Sequence, residues 1–226
     1  MFRQDLSRKE RLLLITELAV LSVGPVLLMG LSIQILRFST IFLVAGYCLW
    51  RLYRNAALRT YLRFNWAGCG RALPGIIVRW LLGSAAIVVI VLLLQPERLF
   101  CIPRADPALM LVIVTFYGLV SVLPQEVAFR GYAAWRLDQN GAPFWLAILL
   151  SSILFGWVHI LFGSWLSVVL SLVAGLSFYR TYRTYSSLAA VWLEHSLIGI
   201  SIFAIGLDNL FYLGPTPANF AGVCTV

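Results

Sequence analysis

Seven apolar runs divide the chain, at about residues 13–31, 38–50, 76–95, 108–125, 143–162, 165–180 and 187–207. They are continuous rather than alternating. This fits helices and not barrel strands, whose side chains alternate between lipid and lumen. A run of roughly 17–25 apolar residues crosses the hydrocarbon core as a helix. The pattern therefore predicts an all-α, polytopic transmembrane helix bundle of about seven spans, of which the second is short. The first run follows a basic start, MFRQDLSRKER, and continues to Leu31 with no clear small-x-small cleavage site. It reads as a retained span rather than a signal peptide. No repeat, low-complexity tract or linker interrupts the pattern, so residues 1–226 read as a single membrane domain.

Composition sharpens the class. The chain is 61% hydrophobic and 12% charged, whereas a soluble domain is about 45–50% apolar with about 25% charged residues. The bilayer is thus the expected partner of most of the surface. The net charge of +8 does not call for nucleic acid, because basic residues beside membrane spans set topology. With the N-terminus cytoplasmic, fourteen of the seventeen Lys and Arg residues fall in the inner segments. Only Arg37, Arg98 and Arg104 fall outside. The polar segment 51–75 mixes arginine with Leu, Tyr, Phe and Trp. It reads equally as an amphipathic helix on the anionic inner leaflet and as a plain basic connector. Cys48, Cys69, Cys101 and Cys224 are scattered, with no CxxC pair, and read as four ordinary thiols. The sequence specifies no oligomeric state.

A charge at mid-bilayer costs roughly 2.5–3.5 kcal/mol on insertion scales, so each ionisable residue within a span needs a reason. Glu17 lies one turn into the first span, where a satisfied, interface-reaching carboxylate is the simplest account. Glu126 and Arg130, in VLPQEVAFRGY, are four apart and share a helix face. Pro124 before them removes a backbone donor and is expected to kink the helix. His159 and His195 are the only two histidines, and both lie in apolar runs. With Glu126 they put three titratable groups in or at the end of three different spans, which favours a site over three independent structural roles. Depth sets a tension: at 1.5 Å per residue His159 lies roughly 24 Å and His195 roughly 12 Å from the inner side. Glu126 sits at the inner end of its predicted span.

These residues resemble the three motifs of the CPBP family of glutamic-type intramembrane proteases, which includes type II CAAX prenyl endopeptidases and many bacterial relatives. EExxxR is matched by QEVAFR from Gln125 to Arg130, FxxxH by FGWVH ending at His159, and HxxxN/D by HSLIG from His195 to Gly199. The resemblance covers about residues 105–207. It implies an endopeptidase in a membrane, taken as the bacterial inner (cytoplasmic) membrane, that acts on a membrane-associated protein or peptide. It also implies roles. Gln125 stands at the position of the general base, with His159 as its partner. Glu126 and Arg130 form the supporting pair. His195 is an oxyanion donor, and Gly199 stands where a second donor is expected.

Two departures follow. Gln125 can orient a water but cannot take its proton, so it marks either an inactivated protease or a naturally divergent member. Gly199 removes a donor. Glu194, next to His195, is a possible substitute base, although neighbours on a helix point about 100° apart. The resemblance implies no cofactor; zinc held by His159, His195 and Glu126 is the alternative, since two imidazoles and a carboxylate are a plausible ligand set. Two other function classes compete: a catalytically silent relative acting as a membrane binding, immunity or scaffold protein, and a small transporter with a proton relay.

Overall fold

The computed structural model describes residues 8–29 and 34–212, so that Arg3, Leu31 and Cys224 lie outside the described residues. Eight helices follow one another, with no strand among the described residues. They are α1 (Arg8–Met29), α2 (Gln34–Tyr53), α3 (Trp66–Leu94), the short α4 (Cys101–Ala105), α5 (Pro107–Gln139), α6 (Phe144–Val158), α7 (Trp165–Tyr185) and α8 (Leu188–Ile205). Within the described residues, each of the seven apolar runs falls largely on one of the seven long helices. Among the described residues, four stretches meet the length and hydropathy needed to cross a membrane: Ala56–Leu94, Pro107–Gln139, Phe144–Phe162 and Leu188–Ile205. Their outward faces carry large apolar side chains such as Leu82, Leu93, Leu111 and Trp145, as a lipid-facing surface requires.

Local chemistry sets the helix ends. Asn65, Asp106, Ser164 and Ser187 stand at N-caps, where each side-chain oxygen accepts from a backbone N–H of the first turn. Gly163 (φ 74°) and Gly206 (φ 124°) end the His159–Phe162 turn and α8 in conformations that suit a residue without Cβ. Gly206 has a second reason: a Cβ there would run into the Arg98 carbonyl oxygen. Small residues also let the helices approach. A Cβ on Gly156 of α6 would meet Leu172 and Val168 of α7, and one on Gly175 of α7 would meet Ser152 of α6.

Three expectations change. The segment 51–75 resolves into the end of α2, a short 3-10 helix at Ala56–Leu62 and the start of α3; the 3-10 helix turns Leu58, Tyr61 and Leu62 to the core and leaves Arg59 exposed, a one-sided helix shorter than the one expected. Arg79, counted with the inner segments, lies well inside α3 and is paired there; without it the arginine asymmetry is unchanged in sense. The expectation of four ordinary thiols fails at Cys101, which is disulfide-bonded, whereas Cys48 and Cys69 are free.

Ion pairs tie the helix ends. Glu17 of α1 accepts from Tyr47 (2.9 Å), Tyr132 and Arg136 (2.9 Å), which is the satisfied carboxylate the sequence suggested. Arg98 pairs with Asp208 at 2.8 Å. Asp138 takes Arg183 at 2.6 Å and the Tyr61 hydroxyl at 2.8 Å.

Candidate active site

The fourth predicted span, expected to stop near residue 125, continues to Gln139. Within it, two π-helical turns, Gly118–Val122 and Val127–Tyr132, flank a single α turn, Leu123–Glu126. The Leu123 N–H reaches the Gly118 carbonyl and the Ala133 N–H reaches that of Ala128, both five residues back. π turns widen a helix locally and recur at functional sites. Pro124, which cannot donate, sits between them, so the loosening it imposes is taken up by wider turns while the helix continues. The result is a helix that buries Gln125, Glu126 and Arg130 together.

This extension also eases the depth tension. Glu126 is not at an inner end; it lies inside the continuous α5, roughly 20 Å from the Gln139 end at 1.5 Å per residue, close to the depth of His159 at the end of α6.

Glu126 is the centre of the charge cluster. Its Oε1 lies 2.6 Å from His195 Nδ1 of α8, and its Oε2 lies 3.3 Å from Arg130 Nε, the expected i,i+4 pair. Both members of that pair are fully buried. The Arg130 nitrogens find no hydrogen-bond partner among the described residues. The guanidinium is instead balanced by Glu126 and by ring faces, with Cζ 4.2 Å from the Phe155 centroid and 5.4 Å from that of Phe178. Phe155 is the hub of the site. Its ring also meets His159 at 4.8 Å and His195 at 5.4 Å, both edge-on. His195 is further held by stacking on Phe178 at 4.7 Å. His159 Nδ1 donates to the Phe155 carbonyl at 2.6 Å. A carbonyl can only accept, so this bond fixes the proton on Nδ1 and leaves Nε2 as an acceptor.

His159, His195, Glu194 and Gly199 line one cavity of about 300 Å³, together with Tyr117, Phe155, Phe178 and Arg79. Gln125, Glu126 and Arg130 are not among its lining residues; Glu126 reaches it through His195. Gln125 turns its amide back onto its own helix, donating to the Ser121 carbonyl at 3.0 Å and to Ser121 Oγ at 3.2 Å. Glu194 faces the same cavity as its neighbour His195, but it is fully engaged. Arg79 donates to both of its oxygens (2.7 and 3.1 Å), and Ser177 Oγ donates to Oε1 at 2.6 Å. Gly199 packs against Tyr117; a Cβ there would overlap the phenol ring and hydroxyl.

Sequence reasoning missed Arg79, Ser177, Tyr117 and Phe178. Arg79 alone left a signal, as a second intramembrane charge that requires a partner; the other three are ordinary residues of apolar helices. As for a metal, no group of three His, Cys, Asp or Glu among the described residues is arranged to hold one. Of the residues named for zinc, Glu126 Oε1 and His195 Nδ1 face each other at 2.6 Å.

No curated protein and no solved structure matches the chain. A family model does match, over residues 107–201, the stretch that runs from the start of α5 through most of α8. The chain is thus an integral membrane protein, helical and without strands among the described residues, that over this stretch matches the family described as Rce1-like, type II CAAX prenyl endopeptidase Rce1-like, as its three motifs implied.

Proposed function

We propose that the chain is an intramembrane endopeptidase that hydrolyses a peptide bond in a membrane-associated protein or peptide. One observation carries this reading: His159 and His195, from two helices, share a cavity, and Glu126 from a third helix holds His195 from behind. Peptide hydrolysis needs a group that takes a proton from water and returns it to the leaving nitrogen. Gln125 has no such capacity, and Glu194 is held by Arg79 and Ser177. An imidazole is the remaining acceptor. With its Nδ1 proton hydrogen-bonded to Glu126, His195 keeps Nε2 as an acceptor at the cavity it lines. A water in the shared cavity adds its oxygen to the carbonyl carbon and gives one proton to His195 Nε2. The C–N bond then breaks, and His195 returns the proton to the amine. Glu126 holds the imidazolium in orientation and offsets its charge, as a carboxylate behind a catalytic histidine does.

Water access is supported by a second, more polar cavity of about 640 Å³ lined by Arg79, Ser177, Arg180 and Thr181, which shares Arg79 and Ser177 with the first. The disulfide at Cys101 supports the proposed orientation, N-terminus cytoplasmic and α4 outside, since disulfides persist on the oxidising side of a bacterial inner membrane.

A second reading is favoured by Gln125, whose amide is spent on Ser121 at the position of the family's base. On that reading the chain is a silent relative that binds membrane proteins. The test is cleavage of a panel of fluorogenic membrane peptides, lipidated and not, in vesicles. We expect turnover by the chain as it stands, a loss of at least about 10²-fold in His195→Ala, and retention in Glu194→Gln. Turnover that appears only in Gln125→Glu assigns the base to position 125 instead. No turnover in either form establishes the silent relative.

A further inference from the structure

Attack on a peptide carbonyl puts negative charge on its oxygen, and inside a cavity walled by lipid-facing helices that charge needs a hydrogen-bond donor. Neither imidazole offers one before it is protonated: the Nδ1 protons go to the Phe155 carbonyl and to Glu126. Arg79 and Ser177 spend donors on Glu194. Tyr117 is different. It lines the cavity beside His195 and Gly199. Its hydroxyl lies against Gly199, the position where the resemblance expects a second donor, so the phenol proton has the cavity beside it. The residue opposite is a glycine, and any side chain at 199 would take the place of the Tyr117 hydroxyl.

We propose that Tyr117 is a catalytic residue, the donor to the oxyanion. This rests on the endopeptidase reading. The ring is fixed independently of the hydroxyl by an edge contact with Phe203 at 5.4 Å, so Tyr117→Phe retains the packing and removes only the donor.

The test uses the full chain in vesicles with whichever fluorogenic membrane peptide of the panel it turns over. Tyr117→Phe is expected to lower kcat by about 10²–10³-fold with KM nearly unchanged, as loss of a single oxyanion donor does. Ser171→Ala, which removes another hydroxyl at the same cavity, is expected within about threefold of the parent. Tyr117→Ala combined with Gly199→Asn puts a donor back from α8 and is expected to recover at least about tenfold over Tyr117→Ala alone. A purely structural role for Tyr117 would not give that rescue. If the parent turns over substrate and Tyr117→Phe keeps kcat within about threefold, Tyr117 is not the donor and the endopeptidase reading stands. If no form turns over any peptide, both fall.

Discussion

Arg130→Met tests the charge cluster directly. Arg130 and Glu126 are both fully buried, 3.3 Å apart, with the guanidinium over Phe155. Removing one partner of a buried pair leaves the other charge unbalanced, at about 3–5 kcal/mol. Methionine fills much of the same length and can rest its sulfur on the ring faces that Arg130 now covers, so the loss is chiefly electrostatic. His195 at 2.6 Å from Glu126 Oε1 can take up part of the charge, which puts the expectation for Arg130→Met near the lower end, about 3 kcal/mol. Glu126→Leu should cost at least as much, since it strands Arg130 and also frees His195 Nδ1. The double variant removes both charges and keeps only the orphaned imidazole, at about 1–3 kcal/mol. The single changes therefore should not add, and the cycle should return a coupling of about 3 kcal/mol or more, well beyond the few tenths expected of independent sites. The assay is reversible unfolding in mixed micelles with a denaturing detergent, for the parent, both single variants and the double. Arg130→Met within about 1 kcal/mol of the parent, or a double variant less stable than either single one, would refute the argument that mutual burial holds the pair.

Two further outcomes follow from close contacts and from redox state. Gly199→Ala forces the Tyr117 ring out of its place and should cost about 1–3 kcal/mol; the same change in a Tyr117→Ala background should cost less than half as much, read by the same unfolding assay. Cys101 is disulfide-bonded, so in unfolded, non-reduced protein it should resist a maleimide that labels Cys48 and Cys69, and react after reductant; labelling before reduction would remove the argument for which face is outside.

The seven apolar runs, the helical class and the three motifs were legible in the chain because each depends on local quantities. Apolar length sets a span, a cap residue sets an end, and i,i+4 spacing pairs Glu126 with Arg130. The role of Glu17 was legible for the same reason, since a carboxylate one turn into a span must find donors, and it found Tyr47, Tyr132 and Arg136. What failed was the limit of the fourth span. Arg130 and Arg136 read as an inner boundary, yet both are neutralised by carboxylates, and a paired charge no longer marks the interface.

The sequence by itself thus determined that this is a helical membrane protein with titratable groups on three spans, and which family its motifs resemble. It could not determine which atoms face one another. Only the packing of α3, α5, α6, α7 and α8 decided that Glu126 backs His195, that Arg79 occupies Glu194, and that Tyr117 stands over Gly199. The physical reason is that helix rotation and depth are set by side chains distant in sequence. Two π turns around QE shift every later residue of α5 relative to a regular helix, and no pattern of apolar and polar positions records that shift.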